Sequence, residues 1–320
     1  MPTRTPEYIV AVAGGGSHCR AVLCDKSENK VLRYSVLDQP ANIASSREST
    51  LEAIRKTLAE FSSFISSNPD SFRENTQLTL CLPGVSNTAN VAWLKQQLDW
   101  PGTLHITSDT VADFFNVHGA MKNGAGILIG GTGSIAIGYN NGGFLRVGGR
   151  GDDADICSGY ELGRRALLSA ELRGNSRFQS RCRQIAEAHG LTSLDPQTSP
   201  RFIVSQLAPC LFDLAEEEHI PAVRTLIDAA AEGGVNYLRI LSEQGINRFG
   251  VVGGVARRLL PTIECLIKRE GVSMIIFPAD ETTGSTGSLN VARALDKNPD
   301  LLKTFNEMRR IDEIGKPSAL

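Results

Sequence analysis

The sequence predicts a mixed α/β protein made of two similar halves. An apolar strand, a glycine-rich turn and two further strands open the chain, in "YIVAVAGGGSHCRAVLCD" and "KVLRYSVLD". The same series returns from Gly124, in "GAGILIGGTGSIAIGYNNGGFLRVGG". After each series, helical and strand patterns follow in turn, the mark of parallel strands joined through helices.

In the first half, "YIVAVAGG" reads as a buried strand, "CRAVLCD" as its neighbour, and "KVLRYSVLD" completes a three-stranded meander. Beyond the loop "QPANIASS", Leu51, Ile54, Leu58 and Phe61 recur at helical spacing on one face, with Ser46 placed to cap that helix. "QLTLCLPG" is a strand closed by a Pro-Gly break, "VAWLKQQL" a helix, "TLHITSD" a strand and "TVADFFNVHGA" a helix. Residues 1–120 are thus expected to form a first lobe. In the second half, the meander leads into helices: "GYELGRRALLSAELRG", others between Arg177 and Leu214, and a long one from about Pro221 to Gln244. "RFGVVGGVARRLL" reads as strand, Gly-Gly turn and helix, "SMIIFP" as a last strand and "STGSLNVARAL" as a last helix. Residues 121–296 are expected to form a second lobe, and the polar stretch 297–320 a loosely attached extension.

Composition narrows the function classes. A net charge of −2 speaks against broad binding to nucleic acid or to an anionic membrane, either of which needs a basic face. "MPTRTPEYIV" carries no apolar signal core, and no later run approaches a membrane span. The seven cysteines are scattered and form no CxxC pair, and the five histidines form no HExxH. Buried free thiols in a reducing cytoplasm are the expectation.

The glycine turns, Ala13–Ser17 and Gly130–Ser134, sit at equivalent places in the two meanders. Each alone reads either as a plain hairpin or as a phosphate grip. Each runs into another strand, whereas P-loop and dinucleotide turns run straight into a helix. Two matched turns, with a third at Gly253–Gly254, favour nucleotide binding, because amides unshielded by Cβ close on phosphate oxygens.

With these residues in view, the chain resembles the actin-like ATPase and sugar-kinase superfamily. Within it, the chain is similar to the BadF/BadG/BcrA/BcrD ATPases and to their N-acetylglucosamine and glucosamine kinase branch. The carrying motifs are "AGGGSHCRAVLCD", "PANIASS", "ITSDTVADF", "GGTGSIAIG", "VGGRGDDADICSGYELGRRAL" and "VVGGVA", in the family's order across Tyr8 to Ala294. The resemblance implies duplicated actin-like (ribonuclease H-like) domains with an interdomain cleft, and ATP and Mg2+ as phosphoryl donor and metal. It implies a small sugar substrate phosphorylated on its 6-hydroxyl, and a homodimer as a common assembly. Gly14, Gly15, Gly16 and Ser17 would hold phosphates from one lobe, and Gly131, Thr132, Gly133 and Ser134 from the other. Gly253 and Gly254 would line the adenosine pocket with the segment around Gly287. Asn42, Gly84, Arg150 and Asp155 would bind the sugar.

Asp109 is the residue the resemblance makes the catalytic base, since a sugar hydroxyl needs a carboxylate to take its proton. The rest of such catalysis is positioning and charge neutralisation. By itself, an aspartate before "TVADF" also reads as a helix N-cap. Asp152 and Asp153 could join Asp155, or be solvated acids in a glycine-rich loop. His18 reads as a pleated-strand residue, or one that reaches a phosphate.

Two departures qualify the resemblance. Ala13 stands where the family's first motif begins with an aspartate that orients water on the metal, and Ile156–Cys157 replace an acid and a glycine. Loss of one such interaction costs on the order of a hundredfold in rate. An amino-sugar kinase with weakened catalysis therefore stands beside two other readings. One is a non-catalytic sugar or nucleotide sensor. The other is an iron–sulfur ATPase that activates a radical dehydratase, for which Cys157 is the conceivable ligand.

Overall fold

The computed structural model describes residues 6–16, 18–65, 68–151, 155–279 and 284–311. Ser17, Asp152 and Asp153 lie outside the described residues. The chain divides into two compact units, each built on its own sheet.

The first unit opens with β1 (Tyr8–Gly14), β2 (Cys19–Asp25) and β3 (Lys30–Leu37), the expected meander. Helices α1 (Arg47–Ile65) and α2 (Pro69–Glu74) follow, then β4 (Thr76–Cys81), α3 (Thr88–Leu98), β5 (Leu104–Thr107) and α4 (Asp109–His118). The sheet order is β3-β2-β1-β4-β5, with β1 antiparallel to β2 and parallel to β4. The Ser46 hydroxyl accepts from the Ser49 amide (3.2 Å), so α1 starts where its cap requires. Alternation along β1 feeds two cores. Val10 and Val12 pack with Leu51, Ile54 and Phe61 of α1, whereas Ile9 and Ala11 meet Leu289 and Ala292 on the other face.

The second unit repeats the plan with β6 (Ala125–Gly130), β7 (Ser134–Asn140) and β8 (Gly143–Gly148). Five helices lie next: α5 (Gly159–Leu168), α6 (Ala170–Arg173), α7 (Ser176–Ala188), α8 (Arg201–Val204) and, after a 3-10 turn, α9 (Ala208–Glu217). The long α10 (Pro221–Ser242), β9 (Arg248–Val252), α11 (Gly254–Glu270) and β10 (Ile275–Pro278) complete it. The order β10-β9-β6-β7-β8 repeats that of the first sheet, so the duplication holds at the level of topology.

Two expectations are corrected. The last expected helix, α12 (Gly284–Lys297), packs on β1 and α4 of the first unit, although chain order assigns it to the second half. Its Leu289 and Ala292 cover the face of β1 that would otherwise stay open. The stretch after Lys297 is also not loose throughout. There α13 (Leu301–Asn306) buries Phe305 at 1% exposure, and Asn306 Nδ2 donates to the Ile106 carbonyl (3.1 Å). A short β11 (Arg309–Arg310) then pairs with β8 at the edge of the second sheet. Among the described residues, no helix is long and apolar enough to cross a membrane.

Candidate functional site

In the first unit, the turn after β1 is tied down by packing. A Cβ on Gly14 would lie 2.2 Å from the Ala41 carbonyl oxygen and 2.6 Å from Leu82 Cδ2, so only glycine fits. The Gly15 carbonyl accepts from the Ala41 amide (3.0 Å), while Gly16 faces open space. Asn42 stands on the same loop. Its Oδ1 accepts from the Ala44 amide (3.0 Å), which closes an Asx turn and leaves the side-chain amide NH2 to offer a ligand. Gly84, at φ +84°, presses against Ala44, where a Cβ would sit 2.7 Å from two of its atoms. Thus Gly14, Asn42 and Gly84 come together around one loop. His18 is an exposed residue whose Nε2 lies 3.4 Å from Asp38.

Asp109 is the first residue of α4, and the cap is Ser108, whose hydroxyl accepts from the Thr110 amide (3.3 Å). The N-cap role open to Asp109 in the sequence is taken, and its carboxylate accepts from the Ser108 hydroxyl instead (3.0 Å). Burial raises the Asp109 pKa above the ordinary carboxylate range, against the lowering pull of the Ser108 hydroxyl and the Thr110 amide. A raised pKa makes the ionised carboxylate a stronger proton acceptor than an ordinary aspartate.

Gly287, from the segment expected near the adenosine pocket, is a packing glycine in this structure. It lies in α12, where a Cβ would stand 2.1 Å from the Ala112 carbonyl oxygen of α4. Glycine there permits two helices to pack, and the space over it is protein.

In the second unit, the expected turns meet. A Cβ on Gly253 (φ +90°) would lie 2.4 Å from the Gly130 carbonyl oxygen, and one on Gly130 2.8 Å from Ala256. The β6–β7 turn therefore rests directly on the start of α11. Its Gly131 and Thr132 carbonyls also accept from the Gly159 and Tyr160 amides that open α5 (2.8 and 3.2 Å). Gly131 and Gly254 both face open space. Beside them lies a cavity of about 360 Å³, walled by Thr132, Ser205, Gln206, Phe212 and Arg258. The N-terminus of a 17-residue helix at its rim favours anions. Ser134 Oγ is buried with no hydrogen-bond partner. Open glycines and a helix N-terminus are donors that suit a nucleotide's phosphates.

Asp155 is 2% exposed, and both its oxygens are engaged: Oδ1 accepts from the Arg150 amide (3.1 Å) and Oδ2 from the Gly151 amide (3.0 Å). It holds the loop in which Gly148, Gly149 and Gly151 all take positive φ. Arg201 adds a second tie, bonding the Gly151 carbonyl while lying 4.0 Å over the Tyr160 ring. Arg150 is exposed, and a Cβ on Gly133 would lie 3.7 Å from Asp155 Oδ2, so turn and loop adjoin. Sequence reasoning missed Ser205, Gln206, Phe212 and Arg258. Ser205, Gln206 and Phe212 lie in a 3-10 turn and a helix with no motif of their own, and Arg258 lies just past the Gly253–Gly254 motif; only the cavity brings them together.

Cys157 is fully buried, and burial pushes its thiol up to about 12. Among the described residues no group of three His, Cys, Asp or Glu side chains is placed to hold a metal.

No protein-family model and no curated protein sequence matches the chain. Solved structures do. A protein of Chromobacterium violaceum assigned as an N-acetylglucosamine kinase has a TM-score of 0.71 at 21% identity, with 90% of this chain and 100% of that one covered. A Porphyromonas gingivalis protein of the same assignment has a TM-score of 0.57 at 17% identity, covering 91% and 99%. A ROK family glucokinase from Streptomyces griseus, solved with glucose and AMPPNP, has a TM-score of 0.56 at 14% identity, covering 90% and 99%. The chain has the two-sheet fold of these solved kinase structures.

Proposed function

We propose that the protein is an ATP-dependent amino-sugar kinase of the BadF/BadG/BcrA/BcrD type, acting on the 6-hydroxyl of glucosamine or N-acetylglucosamine. The observation that carries this reading is the meeting of the Gly131 and Gly253–Gly254 turns at the N-terminus of α11 beside an open cavity. In the N-acetylglucosamine kinase assignment of the C. violaceum and P. gingivalis proteins, and in the nucleotide and sugar of the S. griseus structure, the reading has further support. Gly131, Thr132, Gly133, Ser134, Gly253 and Gly254 bind the nucleotide from the second unit, with Gly14, Gly15, Gly16 and Ser17 contributing from the first. Asn42, Gly84, Arg150 and Asp155 bind the sugar. Asp109 takes the proton of the attacking hydroxyl as its oxygen forms the bond to the γ-phosphorus and ADP leaves. Magnesium, when bound, neutralises charge on the nucleotide phosphates.

The test is ADP release with Mg-ATP and glucosamine, N-acetylglucosamine, glucose or no sugar, with the product identified by phosphorus NMR. Stimulation by an amino sugar, with a 6-phosphate as product, supports the reading. Ala13 and Ile156–Cys157 favour a second reading, a sensor that binds without turnover. It predicts tight ATP or sugar binding with no stimulation by any sugar, and turnover gained by Ala13→Asp.

A further inference from the structure

The first unit has a cavity of its own on the α1 side of its sheet, the face opposite α12. Its volume is about 270 Å³. Arg55, Leu58 and Ser62 reach it from one stripe of α1, at the three- and four-residue spacings that bring helical side chains together. Phe72 and Arg73 reach it from α2, and Trp100, just past α3, completes the wall. Among the described residues none of the glycine turns lines it.

Two observations say what would fit. The first is uncompensated positive charge. Arg55 is exposed and Arg73 half-buried, and neither is paired with a carboxylate among the described residues. Arg55 Nη2 donates to the Gln97 carbonyl (2.9 Å), and Arg73 Nη2 to the Leu98 and Asp99 carbonyls (2.9 and 2.6 Å). Each guanidinium thus spends one nitrogen on the end of α3 and keeps Nε and Nη1. The carbonyls there carry the equivalent of about half a negative charge, which two guanidinium charges outweigh. The second observation is the mixed wall. Trp100 Nε1 already donates to the Thr76 carbonyl (3.1 Å), so its ring offers an apolar face, with the Arg73 guanidinium 5.4 Å from the ring centre. Leu58 and Phe72 extend that face. Ser62, at 7% exposure, adds a hydroxyl with no hydrogen-bond partner.

We propose that this cavity binds a small monocarboxylic acid with a compact apolar body. The carboxylate lies between Arg55 and Arg73, and the body against Leu58, Phe72 and Trp100. A planar carboxylate accepts paired N–H groups from a guanidinium fork, and the apolar body leaves water as it enters. The volume lies below the roughly 300 Å³ at which pockets for drug-sized ligands begin, so the acid is small. The site is independent of the kinase reading.

The test titrates 3-cyclohexylpropanoate and, as its uncharged match, the primary amide. The protein carries Trp93→Phe, which leaves Trp100 as its one tryptophan. Binding is followed by calorimetry and by tryptophan emission, and thermal melting checks that each variant is folded. The acid is expected to bind and to change Trp100 emission, with the amide at least about tenfold weaker. Arg55→Gln is expected to weaken the acid by about tenfold or more. Ala59→Phe, which narrows the cavity without removing a charge, is the second variant and should also lose binding. If the arginines serve only to tie α3 in place, Arg55→Gln melts lower and neither compound binds the parent protein, which overturns the proposal. Equal affinity for acid and amide overturns it as well. So does binding that leaves Trp100 emission or the Arg55→Gln affinity unchanged, since the acid then sits elsewhere. Sugar-stimulated turnover is read separately, so the kinase reading stands or falls on its own.

Discussion

The glycine turns after β1 and after β6 occupy the same place in two sheets of the same strand order, yet their surroundings differ. Gly14 is glycine because Ala41 and Leu82 occupy the space of a side chain. Gly131 has nothing within 4 Å, and the neighbouring Gly130 is the residue packed against α11. Each turn therefore spends one glycine on close packing and keeps another, Gly16 or Gly131, open. The first is tied to the Ala41 loop, whereas the second is clasped to α5 and α11 beside a cavity. A repeated motif thus reports a repeated backbone, and the neighbours decide the chemistry.

The largest effect is expected at the carboxylate that only the first unit provides. Asp109→Asn should lower sugar-stimulated turnover by about 10²–10⁴-fold, while ATP affinity measured by calorimetry stays within about threefold, because positioning residues and base are distinct. Near-normal turnover in this variant removes the base assignment. The next effect sharpens the contrast in the second unit. Gly253→Ala meets both a positive φ and the Gly130 carbonyl, and should cost about 2 kcal/mol or more in denaturant unfolding. Equal unfolding midpoints for this variant and wild type would show that β9 and β6 do not approach as described.

Much of this was legible in the sequence, and the gaps have physical causes. The meanders, their turns and the Ser46 cap are local, written in alternation and in residues that satisfy specific backbone groups. The placement of α12 was not legible, since its apolar stripe fits either sheet and only the open face of β1 decides. Gly287 lies in the helix the sequence predicts, but its close approach to the Ala112 carbonyl of α4 depends on tertiary packing that no motif marks. Phe305 sits in a polar stretch, so its burial depends on tertiary contacts alone. Asp155 was found by its motif, but its hold on the Arg150 and Gly151 amides appears only in the folded loop.

A smaller effect concerns pH. Because burial raises the Asp109 pKa, the acid limb of the turnover profile should lie above the ordinary carboxylate range, with activity lost as pH falls through the raised value. For stability the sign is opposite. The folded state prefers protonated Asp109, so this group's contribution is full below the ordinary aspartate pKa and is lost as pH rises through the folded one. Asp109→Asn should accordingly melt higher than wild type at pH 8 and no higher in acid, as read by paired thermal melts. A melting difference independent of pH would contradict the shift.

The most direct test compares the two open glycines by nucleotide affinity. Calorimetry with ATP on Gly131→Ala and Gly16→Ala, neither of which meets protein atoms, isolates what each turn offers a ligand. The expected result is a loss of at least about tenfold for Gly131→Ala, roughly one charge-assisted contact to phosphate, with a smaller loss for Gly16→Ala and melting temperatures unchanged. Wild-type affinity in Gly131→Ala would contradict the claim that the turn after β6 is the nucleotide's principal seat.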